Sequence, residues 1–147
     1  MATVRAARLD DLEPMVDLLR LLFTIEEDFN VDATRQRQGL ALLLREARAC
    51  VLVAEAEGRV VGMCTGQLVI STAEGGPSLL IEDVVIATDH RGKGLGRELM
   101  AAMARWAGAQ GATRMQLLAD RNNLPALHFY ERLGWQTTAL ICLRRHL

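Results

Sequence analysis

The sequence predicts an α+β fold: a mixed, mostly antiparallel central sheet with a βαβ crossover and about four helices. Three observations lead there. Two runs with apolar residues at helical spacing come first, around Leu12 to Phe23 and Leu40 to Ala47. A block of β-rich runs (residues 50–56, 60–71 and 78–87) follows, separated by short Gly-containing turns as in an antiparallel meander. Beyond it, a helix-spaced run lies between two strand-like runs, and strands so connected pair in parallel across the crossover. At 147 residues the chain has the size of one domain, and residues 1–147 are expected to form one.

Each element has its own signals. Residues 3–8 read as a first strand. Asp10, Asp11, Glu13 and Pro14 supply a cap, early acids and a first-turn proline for a helix to about Phe23, with Leu12, Met15/Val16, Leu19 and Leu22/Phe23 inward. Residues 24–30 read as a loop carrying Glu26, Glu27 and Asp28. Asp32 caps a second helix to about Ala47, with Leu40, Leu43/Leu44 and Ala47 inward. Glu57-Gly58-Arg59 makes a tight hairpin and residues 72–77 a second, Gly-rich turn. The third helix, residues 97–110, presents Leu95, Leu99, Met103 and Trp106 as a core stripe and ends at Gly111. Residues 113–119 form the parallel strand. A fourth helix carries Ala126, Leu127, Tyr130 and Leu133 and stops at Gly134, and residues 135–143 form a last strand.

Composition narrows the function. Half the residues are apolar and 24% are charged, and the formal charge of -1 offers no basic footprint for nucleic acid. No stretch approaches the ~20 apolar residues of a membrane helix, and the first residues lead into no signal-type apolar run. Cys50, Cys64 and Cys142 sit apart in apolar runs, as buried thiols of a reducing compartment do, which predicts a cytoplasmic protein. Histidines and cysteines show no metal-ligand spacing, so no metal is expected.

The chemistry concentrates where the third strand of the meander meets the third helix. Arg91, Gly92, Lys93, Gly94, Leu95 and Gly96 form a Gly-rich turn opening that helix, and Lys93 is the chain's only lysine. Such a turn aims unpaired N–H groups and the positive end of the helix dipole at one spot, a cradle for phosphate or pyrophosphate. A Walker loop would follow its lysine with Ser or Thr; Gly94 and Leu95 stand there instead. A dinucleotide fold would open with this motif near its N-terminus. Both fail on context.

Arg91-x-x-Gly94-x-Gly96 resembles the Arg/Gln-x-x-Gly-x-Gly/Ala signature of the GNAT superfamily of acyl-CoA-dependent N-acetyltransferases. A second segment, Asn123, Ala126, Tyr130, Glu131, Leu133 and Gly134 followed by Trp135, resembles that family's Asn-x-x-Ala…Tyr-Glu…Leu-Gly-Phe, with Trp for the usual Phe. The order of elements agrees over nearly the whole chain. The resemblance implies acetyl-CoA as cofactor. Its pyrophosphate would be held by the backbone of Arg91, Gly92, Lys93, Gly94, Leu95, Gly96 and Arg97, and its pantetheine arm would pair along Val84, Val85 and Ile86 where two strands splay. One N–H near Val84 or Val85 would polarise the thioester carbonyl. Asn123 would bond the arm or hold the fourth helix against it, and Tyr130 occupies the general-acid position. A phenol titrates near ~10 and is protonated at neutral pH, so it can supply a departing thiolate.

Glu82 and Asp83 are adjacent on a strand and face opposite sides unless a bulge intervenes. Two acids among apolar neighbours are costly to bury without partners. Glu82 is the favoured base for the incoming ammonium; Asp83 binds the acceptor or is tied to a neighbouring loop. Residues 81–85 are also similar to glucosamine-6-phosphate N-acetyltransferases, although residues 117–120 depart from that subfamily. The expected function is transfer of acetyl from acetyl-CoA to a primary amine of a small molecule or peptide by direct attack, in a chain for which the resemblance allows a homodimer. The rival is a non-catalytic coenzyme A-binding regulator.

Overall fold

A computed structural model describes residues 2–25 and 31–147, so the expected acidic loop at Glu26, Glu27 and Asp28 lies outside the described residues. Two compact units are present, Met1–Leu117 and Leu118–Leu147. The first holds β1 (Ala2–Ala6), α1 (Leu12–Ile25), α2 (Ala33–Arg45), β2 (Ala49–Ala56), β3 (Arg59–Ser71), β4 (Gly76–Ile86), α3 (Leu95–Ala109) and β5 (Met115–Leu117). The second holds α4 (Leu124–Arg132). The sheet runs β1-β2-β3-β4-β5, antiparallel throughout except for the parallel β4–β5 pair across α3. Four helices and a five-stranded mixed sheet are the predicted α+β architecture.

Local chemistry explains the element ends. Asp11 anchors the start of α1: its carboxylate takes both Nη groups of Arg5 at 2.8 and 3.0 Å and the Arg8 amide at 2.7 Å. The Arg5 guanidinium holds the Asp11 carboxyl below the usual carboxylate range. Asp32 caps α2 through the Arg35 amide, as expected. That helix stops at Arg45, short of Ala47, and its buried face includes Gln36 beside Leu40, which apolar spacing does not foresee. The β2–β3 hairpin is tighter than predicted: Ala56 pairs with Arg59, and Glu57 and Gly58, at φ of 52° and 75°, are its two turn residues. Positive φ at both positions is the turn whose twist suits a two-residue hairpin.

The sheet of the first unit is buried on both faces. Met15, Val16, Leu18, Leu19 and Leu22 of α1 and Leu40 of α2 form one core with Val51, Val53, Met63 and Val85. The other face belongs to α3. A Cβ added at Gly66 would stand 3.0 Å from both Leu79 Cδ1 and Met103 Sδ, and one at Gly62 would stand 3.4 Å from Leu99 Cδ1. The bare backbone of β3 lets α3 lie close. Leu99 is fully buried, so Leu99→Ala is expected to cost about 2–5 kcal/mol in urea unfolding, from lost transfer energy plus a cavity.

Two expectations fail at the C-terminal end. Strand β5 is three residues long rather than seven, and residues 135–143 hold no strand among the described residues. The apolar pattern there matches strand propensity, but a strand exists only through a ladder partner. Here Leu140 donates its N–H locally, to Thr138 Oγ1, and Leu140, Ile141 and Leu143 are exposed. Cys142, expected buried, is exposed with them, whereas Cys50 and Cys64 are buried free thiols.

Candidate active site

Strand β4 carries a bulge at its acidic pair. Thr65 pairs with Asp83 and Gly66 with Ile81, so Glu82 is the extra residue. The bulge reverses which side chains face which layer. Leu79, before it, packs toward α3, and Ile86, after it, also lies on the α3 face beside Leu99. Val85 joins the core of α1 and α2. Asp83, two residues from Val85, is therefore turned to that same face, while Glu82 is exposed.

Burial makes Asp83 unusual. It is 8% exposed, and Thr65, fully buried, engages it twice: the Thr65 hydroxyl donates to Asp83 Oδ2 at 2.7 Å and accepts from the Asp83 amide at 3.2 Å. Desolvation pushes the Asp83 acid up to about 6, with the Thr65 hydrogen bond pulling it back and the Glu82 charge adding to the rise. The expected alternatives for Asp83 included a tie to a neighbouring loop; the tie runs to strand β3 instead.

Beyond the bulge, one edge of β4 is open. β5 pairs only with Leu79, Leu80 and Ile81, so residues 82–86 have no strand on that side among the described residues. Asp83 and Ala87 donate their N–H groups toward β3, to Thr65 and Val61. By the two-residue alternation of a strand, Val84 and Ile86 turn their backbone groups to the open edge and Val85 to β3. The Ile86 carbonyl is taken by Arg91 Nε at 3.1 Å, which ties the following loop to the strand end.

That loop runs through a 3-10 turn (Thr88–His90) into α3. His90 is largely covered and bonds Asp89 through Nδ1 at 3.0 Å. Gly92 and Gly94 adopt φ of 77° and 82°, left-handed values that favour glycine. Gly94 is the N-cap of α3, with no side chain capping it. Its carbonyl accepts the first helical bond, from Glu98 at 3.1 Å, so the N–H groups of Leu95, Gly96 and Arg97 have no acceptor within the helix. Leu95 is buried and pins the helix start to the core, while Arg91, Lys93 and Arg97 are exposed. Uncapped amides, left-handed glycines and surrounding cations fit a diphosphate, and the open β4 edge fits an extended amide-bearing arm.

The second unit contains the other two candidates. Asn123 is the N-cap of α4 and accepts the Ala126 amide at 3.2 Å, with Pro125 in the first turn. Its side-chain oxygen thus has a helix-starting duty that the sequence reading did not include. Half-buried Tyr130 packs its ring against Phe129 at 5.2 Å and Trp135 at 5.9 Å. The Tyr130 carbonyl accepts the Trp135 amide past Gly134, at φ 90°, closing the helix and placing the indole on the phenol ring. The first unit thus gathers Glu82, Asp83, Val84, Val85, Ile86 and residues 91–97, and the second gathers Asn123 and Tyr130.

Sequence reasoning missed Thr65. A hydroxyl in the apolar run Val61 to Gly66 signals a buried acid on the neighbouring strand, but only the strand register names its partner. No three metal-ligating side chains gather among the described residues, and no helix is long and apolar enough to cross a membrane.

Residues 12–135 match the sequence profile of the Acetyltransferase (GNAT) family. The chain is 39% identical over 74 residues to streptothricin acetyltransferase of Streptomyces lavendulae, a stretch covering 50% of this chain and 39% of that protein. It therefore spans well under half the length of that relative. In three dimensions it superposes on a transcriptional regulator from Bacillus halodurans C-125 with a TM-score of 0.87 at 24% identity, covering 100% of both chains. It also superposes on an aminoglycoside N-acetyltransferase in complex with CoA, with a TM-score of 0.86 at 18% identity, covering 99% of this chain and 95% of that one. At such identities these two likenesses speak for the fold alone. A profile spanning α1, the whole meander, the Gly-rich loop and α4 through Trp135 covers most of the sequence, and the chain belongs to the GNAT acetyltransferase family.

Proposed function

We propose that this chain is a single-domain N-acetyltransferase that moves acetyl from acetyl-CoA to a primary amine by direct attack. The observation that supports it most is the uncapped, Gly94-opened start of α3 soon after a strand that, among the described residues, has no strand partner on its outer side beyond Ile81. The amides of residues 95–97, with Lys93 and Arg97, hold the diphosphate. The Val84 carbonyl and the Ile86 N–H pair with the arm, the Ile86 carbonyl being held by Arg91, and the Val84 N–H is the donor for the thioester carbonyl. Acetyl-CoA supplies the activated acyl group when bound.

The remaining work falls to acids and a phenol. An amine arrives as its ammonium and must lose a proton before it can attack. The sequence favours Glu82 as base; burial and the Thr65 clamp favour Asp83, whose acid, pushed up to about 6, suits proton exchange near neutrality. We therefore assign the base to Asp83 and give exposed Glu82 attraction of the cationic acceptor. The nitrogen–carbon bond replaces the carbon–sulfur bond, whose electron pair leaves on sulfur. Tyr130 protonates that thiolate, a role that rests on the motif match, and regains through water the second proton that the attacking nitrogen sheds, so that one proton is released overall. The two buried thiols stay reduced in the cytoplasm, where the enzyme acts on a small-molecule or peptide amine, alone or as a homodimer.

The relative named for streptothricin argues for including polycationic amines among the acceptors tested. The test is thiol release from acetyl-CoA against amino acids, polyamines, amino sugars, aminoglycosides and N-terminal peptides. At least one class is expected to release thiol in step with acetylated product, read by mass spectrometry. Binding without release across the panel would favour a coenzyme A-sensing regulator. Calorimetric silence at millimolar acetyl-CoA would remove both readings.

A further inference from the structure

The β4 bulge places a hydroxyl and a carboxylate in mutual contact inside the sheet. Thr65 has two hydrogen bonds to the residue opposite it, a short one to the side chain and a longer one to the main chain. Asp83 is thereby fixed at both ends: its amide cannot swing and its Oδ2 is occupied. No hydrogen bond holds Oδ1 among the described residues. A carboxylate held by one oxygen at a bulge beside an open strand edge is a directed acceptor, whereas a free aspartate would rotate.

We propose that Thr65 is a positioning residue for Asp83, its hydroxyl clamping one carboxylate oxygen across the bulge so that the other receives the proton of the incoming amine. The inference rests on the acetyltransferase reading for its chemical purpose, but the Thr65–Asp83 coupling is physical and can be tested apart from turnover. The proton leaves the ammonium nitrogen for Asp83 Oδ1 and passes from there to solvent once the amine has attacked.

Among the described residues of the first unit, few other groups compete for control of this acid. Glu82 adjoins it, and Cys64, whose own thiol is pushed up by burial and by the Asp83 charge, lies next to Thr65 on β3. The buried faces of α1 (Met15, Val16, Leu18, Leu19, Leu22) and α3 (Leu95, Leu99, Met100, Met103, Ala107) are apolar, and Gln116 of β5 is uncharged. Removing the Thr65 hydroxyl therefore strips the principal stabiliser of the charged form, and proton affinity must rise.

The experiment compares T65V and T65S with the unmodified chain in two readouts. In the first, kcat/KM for the best amine is followed against pH. The acidic limb, expected near the Asp83 midpoint of about 6, should move up by roughly one pH unit in T65V, about tenfold in proton affinity. T65S should restore it, and KM for acetyl-CoA should stay within about twofold throughout. In the second, the Asp83 carboxyl is titrated by carbon-13 NMR, assigned with D83N, and should show the same shift without any substrate.

A rate that falls equally at all pH values in T65V, or a T65S no better than T65V, overturns the proposal. So does an NMR midpoint that T65V leaves in place, or one in the ordinary carboxylate range in the unmodified chain. If no amine is acetylated, the NMR titration alone decides the coupling, which separates failure of this inference from failure of the acetyltransferase reading. Should T65V fail to fold, T65A replaces it with the same expected shift, and the unmodified chain's NMR midpoint still tests the idea.

Discussion

Gly94→Val is expected to weaken acetyl-CoA binding by roughly ten- to a hundredfold, the largest effect on affinity of any single change in the loop. Gly94 sits at φ 82° and ψ 6°, where a β-branched residue is strained by about 1–3 kcal/mol. An added Cβ meets nothing within 4 Å, so the cost at that atom is conformational rather than a clash. The loop can relieve it only by rotating toward ordinary φ, and that rotation turns the first amides of α3 away from their common focus. Each ~1.4 kcal/mol lost in that focus is tenfold in Kd.

The matched control is Gly58→Val. Gly58 has nearly the same φ, 75°, and equally open surroundings, but it lies in the β2–β3 turn. Both variants should lose a similar few degrees of Tm, and only the Gly94 variant should lose affinity in calorimetry. Equal affinities in the two would show that the helix start does not hold the diphosphate. Gly96, by contrast, is already within α3 and needs no positive φ, so Gly96→Ala separates close ligand approach from backbone strain.

The parts of this fold written in local chemistry were legible. Asp32 as a cap, the Leu95–Leu99–Met103 stripe and the parallel crossover depend on neighbours a few residues away or on a right-handed connection rule, and each appears in the structure. What depends on register was not. The bulge at Glu82 is one residue of slippage between β3 and β4, and no feature of the residues 81–85 encodes it without Gly66 and Thr65 opposite. That slip decides which acid is buried, so the choice between Glu82 and Asp83 could be posed from sequence but not argued. Strand 135–143 failed for a related reason, since apolar alternation states a preference and pairing requires a partner elsewhere. The Gly-rich loop was legible as a conformation, its two left-handed glycines falling inside the matched motif, whereas the duty of Asn123 as a cap emerged only once the Ala126 amide was seen beneath it.

Tyr130→Phe is expected to cut turnover by roughly ten- to a thousandfold while leaving the fold and the affinity for acetyl-CoA nearly unchanged. The ring contacts are what make the substitution clean. Phe129 and Trp135 pack against the Tyr130 ring with centroids 5.2 and 5.9 Å away, and phenylalanine preserves those contacts. The carbonyl that closes α4 by accepting the Trp135 amide belongs to the main chain and is untouched. Only the hydroxyl disappears, and with it the proton for the departing sulfur. Tyr130→Leu provides the opposite case: it loses the hydroxyl and the ring together, so its turnover should fall as far while its Tm falls further. A phenylalanine variant with full turnover across the pH range would remove Tyr130 from the chemistry and leave the ring as packing alone. One with equal losses in turnover and in Tm would make the hydroxyl a structural bond instead. The predicted split, turnover lost and stability kept, belongs to a proton donor whose aromatic scaffold is independently held.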